Sequence, residues 1–224
     1  PCGGQLHVLL EFIDSNEQTC EVFKRLAGDL ANHSKVSRRV DLTNGAISAE
    51  AQSSEDAVVI DGTQMTHSLS PMYRLLILGA GDVAKFVAEM AIALEYDVML
   101  CDPRPNYLDN WSVPGVETTA QLPDDVVRER FSNPYSGIIA LAHDPRVDDM
   151  ALMEALKTNA FYIGAMGSVK TSAARRERLP ELGLSFDEID RLHAPIGFQI
   201  NSKTPAEIAI AVMAEITSVR YQKK

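Results

Sequence analysis

The sequence predicts an α/β protein: a Rossmann-like parallel-sheet domain preceded by a small α+β domain. Two observations carry this. Residues 74–105, RLLILGAGDVAKFVAEMAIALEYDVMLCDPRP, read as strand, glycine turn, amphipathic helix, second strand and closing acid. From Tyr73 onward, short apolar runs alternate with helical patterns, whereas residues 1–70 read as hairpins around one helix. The predicted domains are 1-72 and 73-224.

In the first part, residues 6–12 read as a strand. Ser15-Asn16-Glu17-Gln18 is a capping-box signature, and Val22, Phe23, Leu26 and Leu30 mark one face of the helix it opens. Residues 36–42 and 46–51 flank Thr43-Asn44-Gly45, an Asn-Gly hairpin signal, and residues 58–60 and 64–69 flank Asp61-Gly62.

In the second part, Leu75 to Leu78 form a short buried strand. Gly79-Ala80-Gly81-Asp82-Val83-Ala84 is a G-x-G-x-x-A turn, and Val83, Phe86, Val87, Met90, Ala91 and Leu94 repeat at helical spacing. Residues 98–101 return as a strand closed by Asp102. A loop rich in Pro, Asn and Asp follows, then a strand over 137–142 that ends in His143-Asp144, and a helix over 148–158. Residues 160–163 form the next strand and run into Gly164-Ala165-Met166-Gly167-Ser168, ahead of a basic helix over 169–179. Thr204-Pro205-Ala206-Glu207 caps the last helix, whose apolar face is Ile208, Val212, Ile216 and Val219.

At 224 residues and 46% hydrophobic content the chain can bury a sizeable core. No run approaches the roughly 18 apolar residues of a membrane span. Nothing resembles a secretory signal. Cys2, Cys20 and Cys101 are an odd number with no C-x-x-C pair, which argues against a disulfide framework or a structural zinc site. A cytoplasmic protein is the expectation. The net charge of −10 repels nucleic acid and anionic membrane, so a phosphate ligand must be held by backbone dipoles and a few basic side chains. Pro1 in place of methionine fits either methionine removal or an upstream segment.

Open parallel sheets bind ligands beyond the carboxyl ends of their strands, at the switch in strand order. The candidate binding residues are therefore those that directly follow strands: Gly79, Gly81 and Val83; Asp102 and Arg104; His143 and Asp144; Gly164, Met166, Gly167 and Ser168. All four sets should meet on one rim. Glycines let a backbone approach a phosphate, a helix start offers free N–H groups, and an acid can accept from a ribose diol. Each also has a plainer reading. The turn can be a tight connection, Asp82 an ordinary cap that repels phosphate, and Asp102-Pro103-Arg104 a surface turn. Arg104 could instead take a ribose phosphate, which leaves NAD and NADP undistinguished. His143 can be a general acid–base group, a metal ligand or a satisfied core residue. Lys170, Arg175 and Arg176 can be a solvated face. Cys2, between a proline and two glycines, can be an accessible thiol that binds a soft metal. Cys20 and Cys101 read as packing residues.

These residues, in this order, resemble the XdhC/CoxI family, accessory proteins of xanthine dehydrogenases and related molybdenum hydroxylases. Beside the rim motifs, the resemblance rests on Cys2-Gly3-Gly4, Leu10-Glu11, His143-Asp144-Pro145, Tyr162-Ile163-Gly164, Ala194-Pro195-Ile196-Gly197 and Thr204-Pro205-Ala206-Glu207. It covers nearly the whole chain. It implies a chaperone that binds molybdenum cofactor (the pterin, for which a dinucleotide form would suit the crevice), protects it during sulfuration and delivers it. The partners implied are a xanthine dehydrogenase-type hydroxylase and a sulfur donor, a cysteine desulfurase, and a homodimer is compatible. Cys2 would be the cofactor-proximal thiol and the molybdenum contact. The family's upstream glycine-rich segment is not in this sequence, so the 1-72 domain is expected to be incomplete. Asp82 and Ala142 depart from the family pattern. The alternatives are an NAD(P)-dependent oxidoreductase and a nucleotide-sensing module. No molybdenum-enzyme catalytic domain or iron–sulfur cysteine pattern is visible, so xanthine dehydrogenase activity of its own is not expected.

Overall fold

The computed structural model describes residues 8–50 and 57–222. It divides into two compact units, Pro1–Pro71 and Met72–Lys224.

In the first unit, helix α1 (Glu17–Ala31) is followed by strands β1 (Val36–Asp41), β2 (Ile47–Glu50), β3 (Val58–Asp61) and β4 (Gln64–Leu69). The strands form an antiparallel sheet in the order β2-β1-β4-β3. Both expected hairpins are present, with Gly45 and Gly62 in the left-handed conformation their turns require (φ 75° and 57°). Leu26 of α1 is buried with Val36, Val40 and Met65 of the sheet. Two expectations need correction. The helix is capped by Asn16, whose Oδ1 accepts from the N–H of Thr19 at 2.9 Å, rather than by Ser15. Asparagine is as good an acceptor at that position, so the motif shifts by one residue. Residues 8–13 belong to no strand, and Val8, Leu10 and Phe12 are exposed. An apolar run becomes a strand only where a partner edge takes up its backbone groups. What orders this segment is Glu11, which takes a two-pronged pair from Arg38 at 3.0 and 2.6 Å.

The second unit runs β5 (Arg74–Leu78), α2 (Asp82–Ala93), β6 (Asp97–Cys101), α3 (Pro105–Leu108), β7 (Glu117–Thr119), α4 (Pro123–Arg130), β8 (Ser136–Ala140) and α5 (Pro145–Ala155). It continues with β9 (Tyr162–Ala165), α6 (Val169–Arg178), α7 (Phe186–Asp190), β10 (Leu192–His193) and α8 (Pro205–Gln222). The strands pair in parallel in the order β10-β9-β8-β5-β6-β7. Traced outward from the central pair β5 and β8, the chain first fills one half of the sheet and then the other. This is the doubly wound dinucleotide-binding arrangement, and its switch point lies between β5 and β8.

Strand alternation divides the core into two layers. Leu76, Leu78, Met99, Ile138 and Ala140 face α4 and α5 through Val126, Val127, Ala151 and Leu152. Leu75, Ile77, Val98, Leu100 and Ile139 face α2 and α8 through Val87, Ala91, Val212 and Ile216. The buried face of α2 is Ala84, Val87, Ala88 and Ala91. Phe86 and Leu94, expected on that face, are 39% and 43% exposed. Small side chains on the inner face let α2 lie close to both the sheet and α8, with which it is packed.

Leu76 is fully buried on the central strand β5. Leu76→Ala should therefore lower the unfolding free energy of this unit by about 2–5 kcal/mol in denaturant titration.

Candidate functional site

Backbone hydrogen bonds continue the sheet just beyond its carboxyl edge. The N–H of Gly79 donates to Cys101 O (2.9 Å), that of Leu141 to Leu78 O (2.8 Å), that of Met166 to Ala140 O (2.9 Å) and that of Ile196 to Ala165 O (3.0 Å). The segments that open at Gly79, Asp102, Leu141 and Met166 therefore lie side by side on one edge. Residues 1–7 are outside the described residues, so Cys2 is not placed.

Gly79 is the tightest point of this edge. Its φ is 96°, and a Cβ there would stand 2.4 Å from the Cα of Ala142. Glycine is required because the turn after β5 presses on the loop after β8 at the switch point. Gly81, which caps α2, has open space where a Cβ would be, so a ligand can reach its backbone. Val83 is partly exposed, and Asp82 places an exposed carboxylate in the first turn of α2. That carboxylate opposes an anion at the helix start.

Asp102 is placed differently from a free ribose acceptor. It is fully buried. Its carboxylate takes the N–H of Ala80 (3.0 Å), the N–H of Arg104 (3.0 Å) and two guanidinium bonds from Arg104 (both 2.9 Å). Burial would raise its pKa, but the bonds from Arg104 and Ala80 outweigh burial and hold it below the usual carboxylate range. Arg104 also lies over Tyr107, 3.8 Å from the ring centre. A ribose would have to displace Arg104 to reach Asp102.

His143 is exposed, in the left-handed conformation (φ 56°), and so is not a core residue. Asp144 is the N-cap of α5. It accepts from the N–H of Arg146 (3.0 Å) and pairs with that guanidinium (2.9 Å), which holds its pKa low. Gly164 lies inside β9, where the space of its side chain is filled by Ile196, 2.6 Å from a Cβ position. It is a packing glycine, set back from the rim. Ser168 caps α6 by accepting from the N–H of Thr171 at 3.1 Å. Cys101 is buried, and burial pushes its thiol up to about 12; Cys20, by contrast, is exposed on α1. Among the described residues no three His, Cys, Asp or Glu side chains are placed to hold a metal ion.

Beneath the rim sits a buried ion cluster. Arg175 of α6 is 6% exposed; it donates to Asp149 (2.9 Å), Asp148 (3.4 Å) and the carbonyl of Met166 (3.2 Å). Asp148 in turn accepts from the N–H of Ala142 at 3.2 Å, and Arg178 completes Asp149. The guanidinium thus ties the loop after β8 to the loop after β9. Arg175 is no solvated face. Burial pushes Asp148 up to about 6; the N–H of Ala142 and the charge of Arg175 offset this only in part, and the neighbouring carboxylates of Asp149 and Asp144 add to it.

A cleft of about 320 Å³ opens between Met166 and Gly167 on one side and residues 195–202 with Ile208 on the other. Its second wall is held from behind by Glu215 of α8, which accepts from the N–H of Gly197 (2.8 Å), from His193 (3.2 Å) and from the hydroxyl of Tyr162. Burial would raise Glu215, but the bonds from His193, Tyr162 and Gly197 hold its pKa low. Sequence reasoning places no site residue among 198–202. Their only local signal is the Pro195-Ile196-Gly197 turn before them.

Residues 75–216 match the family described as the XdhC Rossmann domain. The chain is 26% identical to the molybdenum cofactor insertion chaperone PaoD of Escherichia coli (strain K12) over 224 residues, 100% of the chain and 62% of that protein. It is 27% identical to a probable subunit of xanthine dehydrogenase from Bacillus subtilis (strain 168) over 153 residues, 68% of the chain and 44% of that protein. A crystal structure of a xanthine dehydrogenase from Bacillus halodurans shares the fold, with a TM-score of 0.70 at 23% identity over 93% of this chain and 66% of that one. The chain thus spans between 44% and 62% of these two curated relatives.

Gly79→Ala combines left-handed strain with a clash against backbone and should cost about 2–5 kcal/mol. Gly81→Ala should cost at most about 1 kcal/mol; thermal melts of the two variants check the contrast. The raised pKa of Asp148 makes the folded state hold its proton longer than the unfolded chain does. Wild type should therefore lose stability relative to Asp148→Asn as pH rises from about 4 to about 6, by up to about 3 kcal/mol, and the difference should be flat above about pH 7. Parallel melts across that pH range measure it.

Proposed function

The chain belongs to the XdhC family, and on that footing we propose that it binds molybdenum cofactor and assists its maturation and insertion into a xanthine dehydrogenase-type enzyme. The observation that carries the proposal is the accessible backbone at Gly81, at the switch point of a doubly wound sheet. That crevice suits the phosphate-bearing end of the cargo. Phosphate oxygens would meet the N–H groups at the start of α2. The rest of the rim supplies shape: Gly79 and Ala142 close the crevice floor, and Arg175 fixes the neighbouring loops. Sulfuration by a desulfurase and the part of Cys2 as the cofactor-proximal thiol are further parts of the proposal. So is the reading of residues 1-72 as a partial N-terminal domain.

A nicotinamide-dependent oxidoreductase is less well supported by the same geometry. An NAD-dependent enzyme uses a free carboxylate for the ribose diol and an NADP-dependent one a free guanidinium for the ribose phosphate, whereas Asp102 and Arg104 are engaged with each other.

Native mass spectrometry of the protein purified from cells that make the cofactor tests the reading. A bound pterin cofactor is expected; a nicotinamide nucleotide or a bare chain would overturn it. In titrations with isolated cofactor, Gly81→Ala and Cys2→Ala should each weaken binding about tenfold or more, a loss of about 1.4 kcal/mol per tenfold.

A further inference from the structure

We propose that the cleft between Met166 and residues 195–202 is the seat of an uncharged, planar nitrogen heterocycle, a pterin or a nucleobase. The inference deepens the reading above and rests on it only for the identity of the larger molecule that carries the ring. Among the described residues no ionisable side chain lines this cleft, in a chain of which 23% of residues are charged. An anion placed there would lose water without gaining a counter-charge. Its volume of about 320 Å³ suits a small ring system rather than a whole dinucleotide.

The lining has the chemistry such a ring needs. Met166, Ile208 and Phe198 offer a thioether, a branched aliphatic and an aromatic surface for its faces. Gln199 and Asn201 carry amides, each both donor and acceptor, which match the mixed edge of a pterin or purine. Phe198 leaves 46% of its surface exposed at this cleft.

The start of that wall, residues 196–198, is fixed before any ligand arrives. Ile196 is hydrogen-bonded to Ala165 O (3.0 Å) and Phe198 to Ala211 O (3.2 Å), while Glu215 holds the N–H of Gly197 (2.8 Å). Gly197 has φ 88°, and a Cβ there would stand 3.0 Å from the N of Val212. The wall therefore lies directly on α8. A preformed wall lowers the ordering cost of binding. The cleft also adjoins the rim through Met166, so a ring seated here and a phosphate at Gly81 can belong to one extended molecule.

The test uses pterin, guanosine and adenosine as uncharged probes and inorganic pyrophosphate as the anion, each followed by saturation-transfer NMR and calorimetric titration. At least one heterocycle should bind. Phe198→Ala and Gln199→Ala should weaken it tenfold or more with unchanged thermal melts, since both side chains are exposed. Gly81→Ala should leave it unaffected. Pterin bound without nucleoside identifies the pterin end, and the reverse identifies the base; both support the site. The proposal is overturned if no heterocycle binds at millimolar concentration, if both cleft variants bind as wild type does, or if pyrophosphate competes with the ring. Should purified protein carry no cofactor while guanosine still binds and Phe198→Ala abolishes it, the chaperone reading falls and the cleft stands.

Discussion

A single guanidinium, that of Arg175, ties together the loops at the carboxyl edge of the parallel sheet. It is buried between Asp148 and Asp149 and reaches the carbonyl of Met166, while Asp148 reaches the N–H of Ala142. Such a cluster adds little net stability, because desolvating three charges offsets most of their attraction. Its effect is on geometry. The cluster adds a side-chain tie between the loops after β8 and β9 beyond the point where the backbone pairing of Met166 with Ala140 ends, and Ala142 in turn packs against the turn at Gly79.

Much of the second unit was legible because its signals are local. The apolar runs of β5, β6 and β8, the glycine turn and the Thr204–Glu207 cap each depend on a few neighbouring residues, and each is present. What could not be read shows the limit of local signals. Strand β7 is three residues, Glu117–Thr119, without an apolar pattern, and exists because β6 offers it an edge. Helix α4 has only Val126 and Val127 as its apolar signal, although both are fully committed to the core. The site divides in the same way. That strand-end residues share an edge follows from parallel topology, so it was predictable. That Asp102 is already occupied by Arg104, that Gly164 makes room for Ile196 and that Arg175 is buried are facts of long-range packing, invisible in spacing.

The edge is chemically uneven as a result. Around Gly81 and Asp102 it offers backbone N–H groups, the exposed carboxylate of Asp82 and a second carboxylate, Asp102, that Arg104 already engages. Around Met166 and Phe198 it offers apolar surface and amides without charge. In a chain of net charge −10 this unevenness matters, because an anion must gain from short-range groups what the overall charge opposes.

Helix α8 has a consequence for how the unit is assembled. Its residues Ala209, Val212, Met213 and Ile216 complete the layer begun by Leu75, Ile77 and α2, more than a hundred positions earlier. Until residues 205–222 leave the ribosome, α2 covers that side of the sheet only in part, and the apolar surface that α8 buries stays exposed. Closure of such distant partners carries a high loop entropy. Apolar surface on the sheet and on α2 therefore stays open to other chains until α8 docks.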